Sequence, residues 1–149
     1  MTDTRIELEP GPDHPITVEP FSSHVVVLIG STVIAETDRA LELREAAYPP
    51  VLYIPFEDVD PSHVRPNELH TWCPYKGEAS YYDIVDTNAD SDSNDTNLAA
   101  AVWYYPDPFT AVDSIEGHVA FYADRVAITT SAGDSTLRSE DLSGGKLHP

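Results

Sequence analysis

Short runs of β-branched and aromatic residues, separated by Gly, Pro and acidic residues, dominate the pattern of apolar positions along this chain. The clearest runs cover residues 16–19, 24–29, 32–35, 51–54, 78–85, 98–105, 117–123 and 125–130. Short runs at a spacing of roughly 8–12 residues, with turn residues between them, are typical of antiparallel sandwiches and barrels. The pattern therefore predicts a mainly β fold of about seven or eight short strands.

The residues between the runs predict the turns. Gly30-Ser31 joins two β-branched runs, which is a hairpin signal, and Ala123-Asp124 separates the last two runs in the same way. Cys73-Pro-Tyr-Lys-Gly77 contains the Pro and Gly of a tight turn, so 70–73 and 78–85 are expected to enter and leave it. Two hairpins and one tight turn follow from these signals.

Little of the sequence favours helix. Residues 38–47 contain helix formers after an Asp and are predicted to form a short helix or an irregular crossing. Near residue 110, Thr110 is placed as an N-cap with Asp113 at the capping-box position, which predicts one helical turn. We therefore expect one or two short helical turns beside the strands.

The 149 residues have the length of one domain. We expect a flexible acidic arm at 1–13, a single domain over 14–130 and a flexible tail over 131–149. Residues 86–97 are polar and acidic throughout apart from one Ala, and are interpreted as a solvated loop inserted between two strands.

Charge is the unusual part of the composition. Eight Lys and Arg against 26 Asp and Glu give a formal net charge of −18. Nucleic-acid affinity comes largely from basic residues that neutralise phosphates, so no nucleic-acid partner is expected. The acids are dispersed along the chain, which favours adaptation to a high-salt cell, with a DNA-mimicking or cation-buffering surface as the alternative. In the first case, lowering the salt concentration should loosen the fold, because salt screens the repulsion between like charges.

Other features bear on location. No apolar run approaches the roughly 20 residues of a membrane helix, and the first 20 residues lack the basic start and apolar stretch of a secretory signal. The single cysteine allows no intrachain disulfide. We therefore expect a cytoplasmic protein without a membrane partner, as a monomer or a homodimer.

Cys73, the single cysteine of the chain, is the candidate thiol nucleophile. His70 and Lys76 lie near it in sequence and offer a base and a pKa-lowering cation, so these three residues are the candidates for catalysis. A lone cysteine is more often a buried structural thiol. In addition, His70 and Cys73 stand three apart on extended chain, where their side chains point to opposite faces.

No metal and no cofactor are expected. A structural zinc site needs four Cys or His ligands, and only His70 and Cys73 lie close together in the sequence. His14 and His148 fall in the terminal segments and are expected to be solvated. The chain carries no P-loop, dinucleotide-binding, serine-hydrolase or metalloprotease motif.

Aromatic residues concentrate on the predicted strands and turns, and strand alternation sends neighbouring aromatics to opposite faces. Aromatic walls with a few polar groups suit a small-molecule pocket, although ordinary core packing explains most such residues equally well. The predicted ligand-binding set consists of aromatic, thiol and cationic side chains: Arg44, Tyr53, Cys73, Tyr75, Lys76, Tyr81, Trp103, Tyr105 and Phe121. Arg125 is a further cation that suits either an ion pair or an anionic ligand.

Several segments together resemble a known family. They are Leu43-Arg-Glu45, Tyr53-Ile-Pro55 with Glu57-Asp-Val59, Thr71-Trp-Cys-Pro-Tyr-Lys-Gly77 with Ala79-Ser-Tyr81, Ala101-Val-Trp-Tyr-Tyr-Pro-Asp-Pro108, and Val119-Ala-Phe-Tyr122 with Asp124-Arg-Val126. In this order they resemble domain of unknown function 427, a family also labelled NTP-transferase-like. The resemblance covers about residues 14–128.

The resemblance implies a fold rather than an activity. It implies a distorted, barrel-like β-tent of two antiparallel sheets that meet at an angle, similar in shape to the thalidomide-binding domain of cereblon. The zinc-bearing tents use several cysteines and this chain has one, so no zinc is carried over. The transferase label would require paired acids for Mg²⁺ and a phosphate-binding loop, and neither is recognisable here.

Three functions remain open from the sequence. The first is binding of a small molecule in an aromatic pocket between the sheets. The second is an enzyme that acts on a small substrate through Cys73 or Lys76, with His70 or Tyr75 in proton transfer and a nucleotide-like compound as one candidate substrate. The third is an interaction module that dimerises through an edge strand.

Overall fold

The computed structural model describes residues 7–85 and 98–130. The predicted acidic loop 86–97 and the tail 131–149 lie outside the described residues. The described chain forms ten strands: β1 (Ile16–Pro20), β2 (Val25–Ile29), β3 (Thr32–Thr37), β4 (Leu41–Glu45), β5 (Val51–Pro55), β6 (Val64–Cys73), β7 (Gly77–Ile84), β8 (Val102–Tyr104), β9 (His118–Phe121) and β10 (Ala127–Thr130). The mainly β fold predicted from the sequence is confirmed.

The strands form two antiparallel sheets. The larger sheet has seven strands in the order β1-β4-β5-β9-β8-β7-β6, and the smaller sheet has three in the order β10-β2-β3. Because β1 and β6 are the two edges of the larger sheet, that sheet stays open and does not close into a barrel.

Alternation along the central strands buries both faces of the larger sheet. On β5, Leu52 and Ile54 pack into one hydrophobic cluster, and Tyr53 between them packs into another. β8 divides in the same way, with Val102 on the first face and Trp103 on the second. Successive side chains of a strand point to opposite faces, so the same strands supply two separate cores.

The first core lies between the two sheets and is aliphatic. The smaller sheet contributes Val25, Val27 and Ile34, all essentially without solvent exposure. The predicted hairpin about Gly30-Ser31 is confirmed as β2 and β3, and Gly30 has a φ of +59°, which glycine adopts without strain.

The sequence prediction of local structure for residues 38–47 is wrong. Residues 38–47 contain strand β4 and not a helix: Leu41, Leu43 and Glu45 alternate inwards, and β4 pairs with both β1 and β5. The period-two pattern decides the structure over the helix propensity of the individual residues.

The predicted hairpin about Ala123-Asp124 does not form either. β9 pairs with β5 and β8 of the larger sheet, whereas β10 pairs with β2 of the smaller one. Ala123 and Val126 are buried in the core between the sheets, so the link between β9 and β10 crosses from one sheet to the other.

Helical structure in the described residues is limited to short 3₁₀ turns, including Phe56–Asp58, Pro61–His63 and Thr110–Ile115. The turn predicted near residue 110 is present, but its N-cap is Phe109 and no side chain caps it, so the predicted cap by Thr110 is wrong. No helix in the described part of the chain is long and apolar enough to cross a membrane.

Candidate functional site

A pocket of about 500 Å³ opens on the aromatic face of the larger sheet. Its lining comes from the end of β6, from β7, from the turn before β8 and from the link after β9: Leu69, Thr71, Trp72, Cys73, Tyr81, Ala99, Ala100, Tyr122 and Arg125. Strand pairing places β6 beside β7 and β7 beside β8, which brings these segments together.

Three hydroxyl groups form a connected chain in the pocket wall. Thr71 Oγ1 lies 2.8 Å from the Tyr81 hydroxyl, and Tyr81 is hydrogen-bonded in turn to Tyr122. Burial, followed by the interaction with Tyr81, raises the pKa of Tyr122. The Tyr122 hydroxyl therefore stays protonated at neutral pH and is available to donate or accept within the chain.

Arg125 provides positive charge at the pocket. Its guanidinium carbon lies 5.6 Å from the centroid of the Tyr122 ring, and Nη1 donates a hydrogen bond to the Ala99 carbonyl at 3.2 Å. Asp124 lies near it, with 3.9 Å between Arg125 Nε and the carboxylate. These contacts hold the guanidinium along the pocket wall.

Cys73 lines the pocket and is 8% exposed. His70, its predicted base, is not part of the lining, and its Nδ1 lies 3.1 Å from Ser80 Oγ. Among residues 7–85 and 98–130, no group of three or more His, Cys, Asp or Glu side chains is placed to hold a metal ion.

Most of the predicted aromatic binding residues lie inside the core. Tyr53, Trp103 and Tyr105 are each no more than 1% exposed. Trp103 Nε1 donates to the Tyr53 hydroxyl at 3.1 Å, and the two rings meet edge to face. Trp103 also packs against the pocket residue Tyr122, with 4.5 Å between the ring centroids.

The other predicted binding residues fall in different places. Phe121 packs into the aliphatic core on the opposite face of the sheet, and Arg44 is exposed on β4, where it pairs with Glu42. Of the predicted set, Cys73 and Tyr81 line the pocket. A direct role of the remaining residues in ligand binding stays a prediction.

A second polar cluster lies at the Cys73–Gly77 turn. Lys76 is 1% exposed and its Nζ donates a hydrogen bond to Glu45 Oε1. Glu45 Oε2 lies 2.7 Å from His14 Nε2, and the His14 ring stacks on Tyr75 with 3.9 Å between ring centroids. Burial would raise the pKa of Glu45, but the charge and hydrogen bond of Lys76, with His14, hold it below its ordinary value.

Residues 7–15 pack against this cluster. The Leu8 amide donates to the Pro74 carbonyl at 2.8 Å, and the Ala46 amide donates to the Pro15 carbonyl at the same distance. The expectation that His14 is solvated is therefore wrong: its side chain is three-quarters buried and joined to Glu45.

The tight turn itself is confirmed and depends on Gly77. Its φ is +118°, and a Cβ there would lie 3.3 Å from the Asp107 carbonyl oxygen. The Phe109 amide donates to the Lys76 carbonyl at 3.0 Å, so the loop before the last 3₁₀ turn closes over this turn. Any side chain at position 77 would strain both segments.

Sequence reasoning missed most of the pocket lining. Tyr122 and Arg125 were recognisable as an aromatic and a cation, but the predicted Ala123-Asp124 hairpin placed them on the two strands beside its turn. Ala99 and Ala100 carry no chemical signal, and Ala100 has a φ of +52° that only the structure shows. Thr71 and Trp72 stand beside Cys73 in the sequence, so their proximity to the thiol was the available signal.

Comparison with known proteins places the chain in a family. No curated protein matches it. A family model described as domain of unknown function (DUF427) matches residues 17–132. The matched segment includes both the pocket lining and the Glu45–Lys76 pair, and it begins after His14. Since the match covers most of its length, the chain belongs to the DUF427 family.

Proposed function

We propose that this domain binds a small molecule in the pocket between β6, β7 and the 98–100 turn. The observation that carries the proposal is the pocket itself, about 500 Å³ in volume, in which aromatic walls, a hydroxyl chain and one guanidinium converge. Ligand sites are commonly clefts of about 300–1,000 Å³ with mainly apolar walls and a few polar groups that fix orientation.

The lining favours a planar ligand. Trp72 and Tyr122 offer aromatic surface, and Tyr81 and Thr71 offer hydroxyl groups able to donate or accept. A flat ring against the aromatic surface, with a carbonyl or hydroxyl directed at the Thr71–Tyr81–Tyr122 chain, would satisfy both features.

Charge limits the ligand further. A protein of net charge −18 repels polyanions at low salt, and Arg125 already has Asp124 and the Ala99 carbonyl as neighbours. This favours a neutral or singly negative ligand over a nucleoside triphosphate. The label of a nucleotide transferase receives no support from this pocket.

A thermal-shift screen tests the proposal, with nucleobases, nucleosides, cyclic imides and aromatic carboxylates in about 2 M KCl, where surface repulsion is screened. A ligand at a hundred times its Kd stabilises the fold by about 2.7 kcal/mol. For a domain of this length, that raises Tm by about 5–10 °C.

Ala99→Trp is the variant that tests the location, because Ala99 is exposed and lines the pocket, so an indole there would obstruct it. Ser114→Trp, at an exposed position outside the lining, is the matched control. A hit that survives in Ser114→Trp and disappears in Ala99→Trp supports the pocket. Retention of full affinity in a folded Ala99→Trp variant would place the ligand elsewhere.

A second candidate function follows from Cys73, since a ligand in this pocket would lie beside its thiol. The thiolate sulfur could then add to an electrophilic carbon of the substrate, with the electron pair of the attacked double bond moving onto its other atom. Titration of the thiol with iodoacetamide over a range of pH checks this. A reaction that follows an ordinary thiol pKa of about 8.5, or no reaction at all, would leave binding as the only role of the pocket.

A further inference from the structure

His14 is held by a stacked aromatic ring and a carboxylate. Its ring lies flat on the Tyr75 ring, with an angle of 7° between the planes, and one ring nitrogen meets the Glu45 carboxylate at 2.7 Å. Lys76 contacts the other carboxylate oxygen from within the core. We call Tyr75, Glu45 and Lys76 the histidine seat.

The seat is costly for the fold to maintain. Lys76 and Glu45 are both almost completely buried. Removing two charges from water opposes folding by several kcal/mol per ion, and a well-packed apolar pair of similar volume is often as stable. Stability alone therefore gives no reason for an ion pair at this position.

A short arm, residues 7–15, supplies the histidine. Its contacts with the rest of the chain include backbone hydrogen bonds at Leu8 and Pro15 and the His14 side chain. Tyr75, Glu45 and Lys76 lie inside the segment that matches the family, whereas His14 precedes it. His14 and Glu45 are 31 residues apart in the sequence, so the seat and its occupant come from different segments of the chain.

We propose that the histidine seat is a binding site for an imidazole ring or a similar planar nitrogen heterocycle, and that His14 is a built-in occupant that such a ligand displaces. In the absence of such a ligand, the His14 side chain of the arm occupies this second site, which is separate from the pocket around Tyr122. This inference does not depend on the function proposed for that pocket.

The chemistry of the seat defines the ligand class. Glu45 is ionised at neutral pH and accepts hydrogen bonds only, so the ligand must present an N–H donor. Tyr75 requires a flat ring parallel to its own. The Lys76 and Glu45 charges balance, so the seat accepts a neutral or singly positive ring and offers no net attraction to an anion.

Imidazole rescue of His14→Ala tests the proposal. The variant leaves the seat vacant, and added imidazole should fill it and raise Tm, while the wild type, whose seat is occupied, responds less. At about ten times the Kd, binding stabilises the folded state about tenfold, which raises Tm by about 3–6 °C at this chain length. Tetramethylammonium chloride at equal concentration controls for a general effect of cations on an acidic protein.

His24→Ala is the matched control variant. His24 also meets two carboxylates, Glu36 at 2.6 Å and Asp38 at 2.5 Å, but both carboxylates are largely exposed. Imidazole should raise the Tm of His14→Ala by several degrees more than that of His24→Ala. Equal responses in the two variants would overturn the proposal, because any carboxylate-paired histidine would then behave alike.

A second measurement covers the case in which His14→Ala does not fold. In the wild type, an imidazole titration followed by ¹H–¹⁵N NMR should shift the amide signals of Leu8 and Ala46, whose hydrogen bonds attach the arm. The amide of Val27 in the smaller sheet should not respond. Leu8 and Ala46 signals that stay unchanged at saturating imidazole would also overturn the proposal.

Discussion

The two faces of the seven-stranded sheet are built from neighbouring residues and have different chemistry. The face towards the smaller sheet is covered by aliphatic side chains such as Leu52 and Ile54. The opposite face carries Tyr53 and Trp103 and shelters the buried Lys76. Both faces are equally inaccessible to water at their centres, so burial alone does not distinguish them.

The difference shows that the two faces of one sheet place different demands on their side chains. The aliphatic face needs only complementary shape, because it contains few polar groups to satisfy. The aromatic face contains hydroxyls, a thiol and an ion pair, and several of these polar groups are held by defined hydrogen-bond partners. Both proposed sites lie on this second face, where the sheet positions polar groups precisely at a cost in stability.

Among the variants that test this difference between the faces, Lys76→Met should cause the largest loss of unfolding free energy. The variant leaves Glu45 buried without its cationic partner, and loss of one member of a buried pair costs about 3–5 kcal/mol. Urea denaturation measures the change. The double variant Lys76→Met with Glu45→Leu should recover most of the loss, because an apolar pair removes the uncompensated charge.

On the aliphatic face, Ile54→Ala is the counterpart and should cost about 2–5 kcal/mol, through lost burial and the resulting cavity. Removing a charged residue elsewhere would not recover this loss of stability, because no charge is left unpaired by Ile54→Ala. A double variant at Lys76 and Glu45 that stays as unstable as Lys76→Met alone would show that the two faces differ less than their chemistry indicates.

The pH dependence of these variants sharpens the comparison. Lys76 and His14 hold the pKa of Glu45 below its ordinary value of 4.5, against the effect of burial. A lowered carboxyl pKa stabilises the folded state above the ordinary value, and the contribution is lost as pH falls through the folded pKa. Without Lys76, burial raises the pKa of Glu45 instead.

The difference in unfolding free energy between wild type and Lys76→Met should therefore shrink as pH falls through a window that straddles 4.5. For Ile54→Ala the difference should stay constant over the same range, because no titrating group is removed. Urea titrations at a series of pH values measure both. A constant gap for Lys76→Met would mean that Glu45 is not the group it leaves uncompensated.

The fold was largely predictable because most strands are recognisable as runs of β-branched residues bounded by turn residues, as in 24–29 and 32–35. The two exceptions have physical causes. In β4, residues with high helix propensity hide an alternation of buried and exposed positions. The link from β9 to β10 looks like a hairpin turn in the sequence, because Ala123 and Val126 are the only residues there that indicate burial and neither is large.

The site was less predictable, because it depends on contacts between distant segments. The CPYKG turn identified Cys73, Tyr75 and Lys76, but nothing local paired Lys76 with Glu45, 31 residues earlier. His14 was assigned to a solvated arm because an acidic, Pro-rich segment gives no sign of its docking partner. Side-chain chemistry can be read from sequence, whereas the pairing of such groups requires the topology.

The smallest expected change in unfolding free energy distinguishes Tyr53 from Tyr105, two tyrosines of the aromatic face that are buried to the same extent. Burial is the main cause that raises the pKa of both hydroxyls, so neither ionises near neutral pH. Tyr53→Phe removes the acceptor of the Trp103 Nε1–H and should cost about 1–3 kcal/mol. The Tyr105 hydroxyl has no protein partner, so Tyr105→Phe should be neutral or stabilise the fold by up to about 1 kcal/mol. Urea denaturation of the two variants in parallel measures the difference. A Tyr105→Phe variant as unstable as Tyr53→Phe would show that the Tyr105 hydroxyl has a hydrogen-bond partner in solution, for example an ordered water.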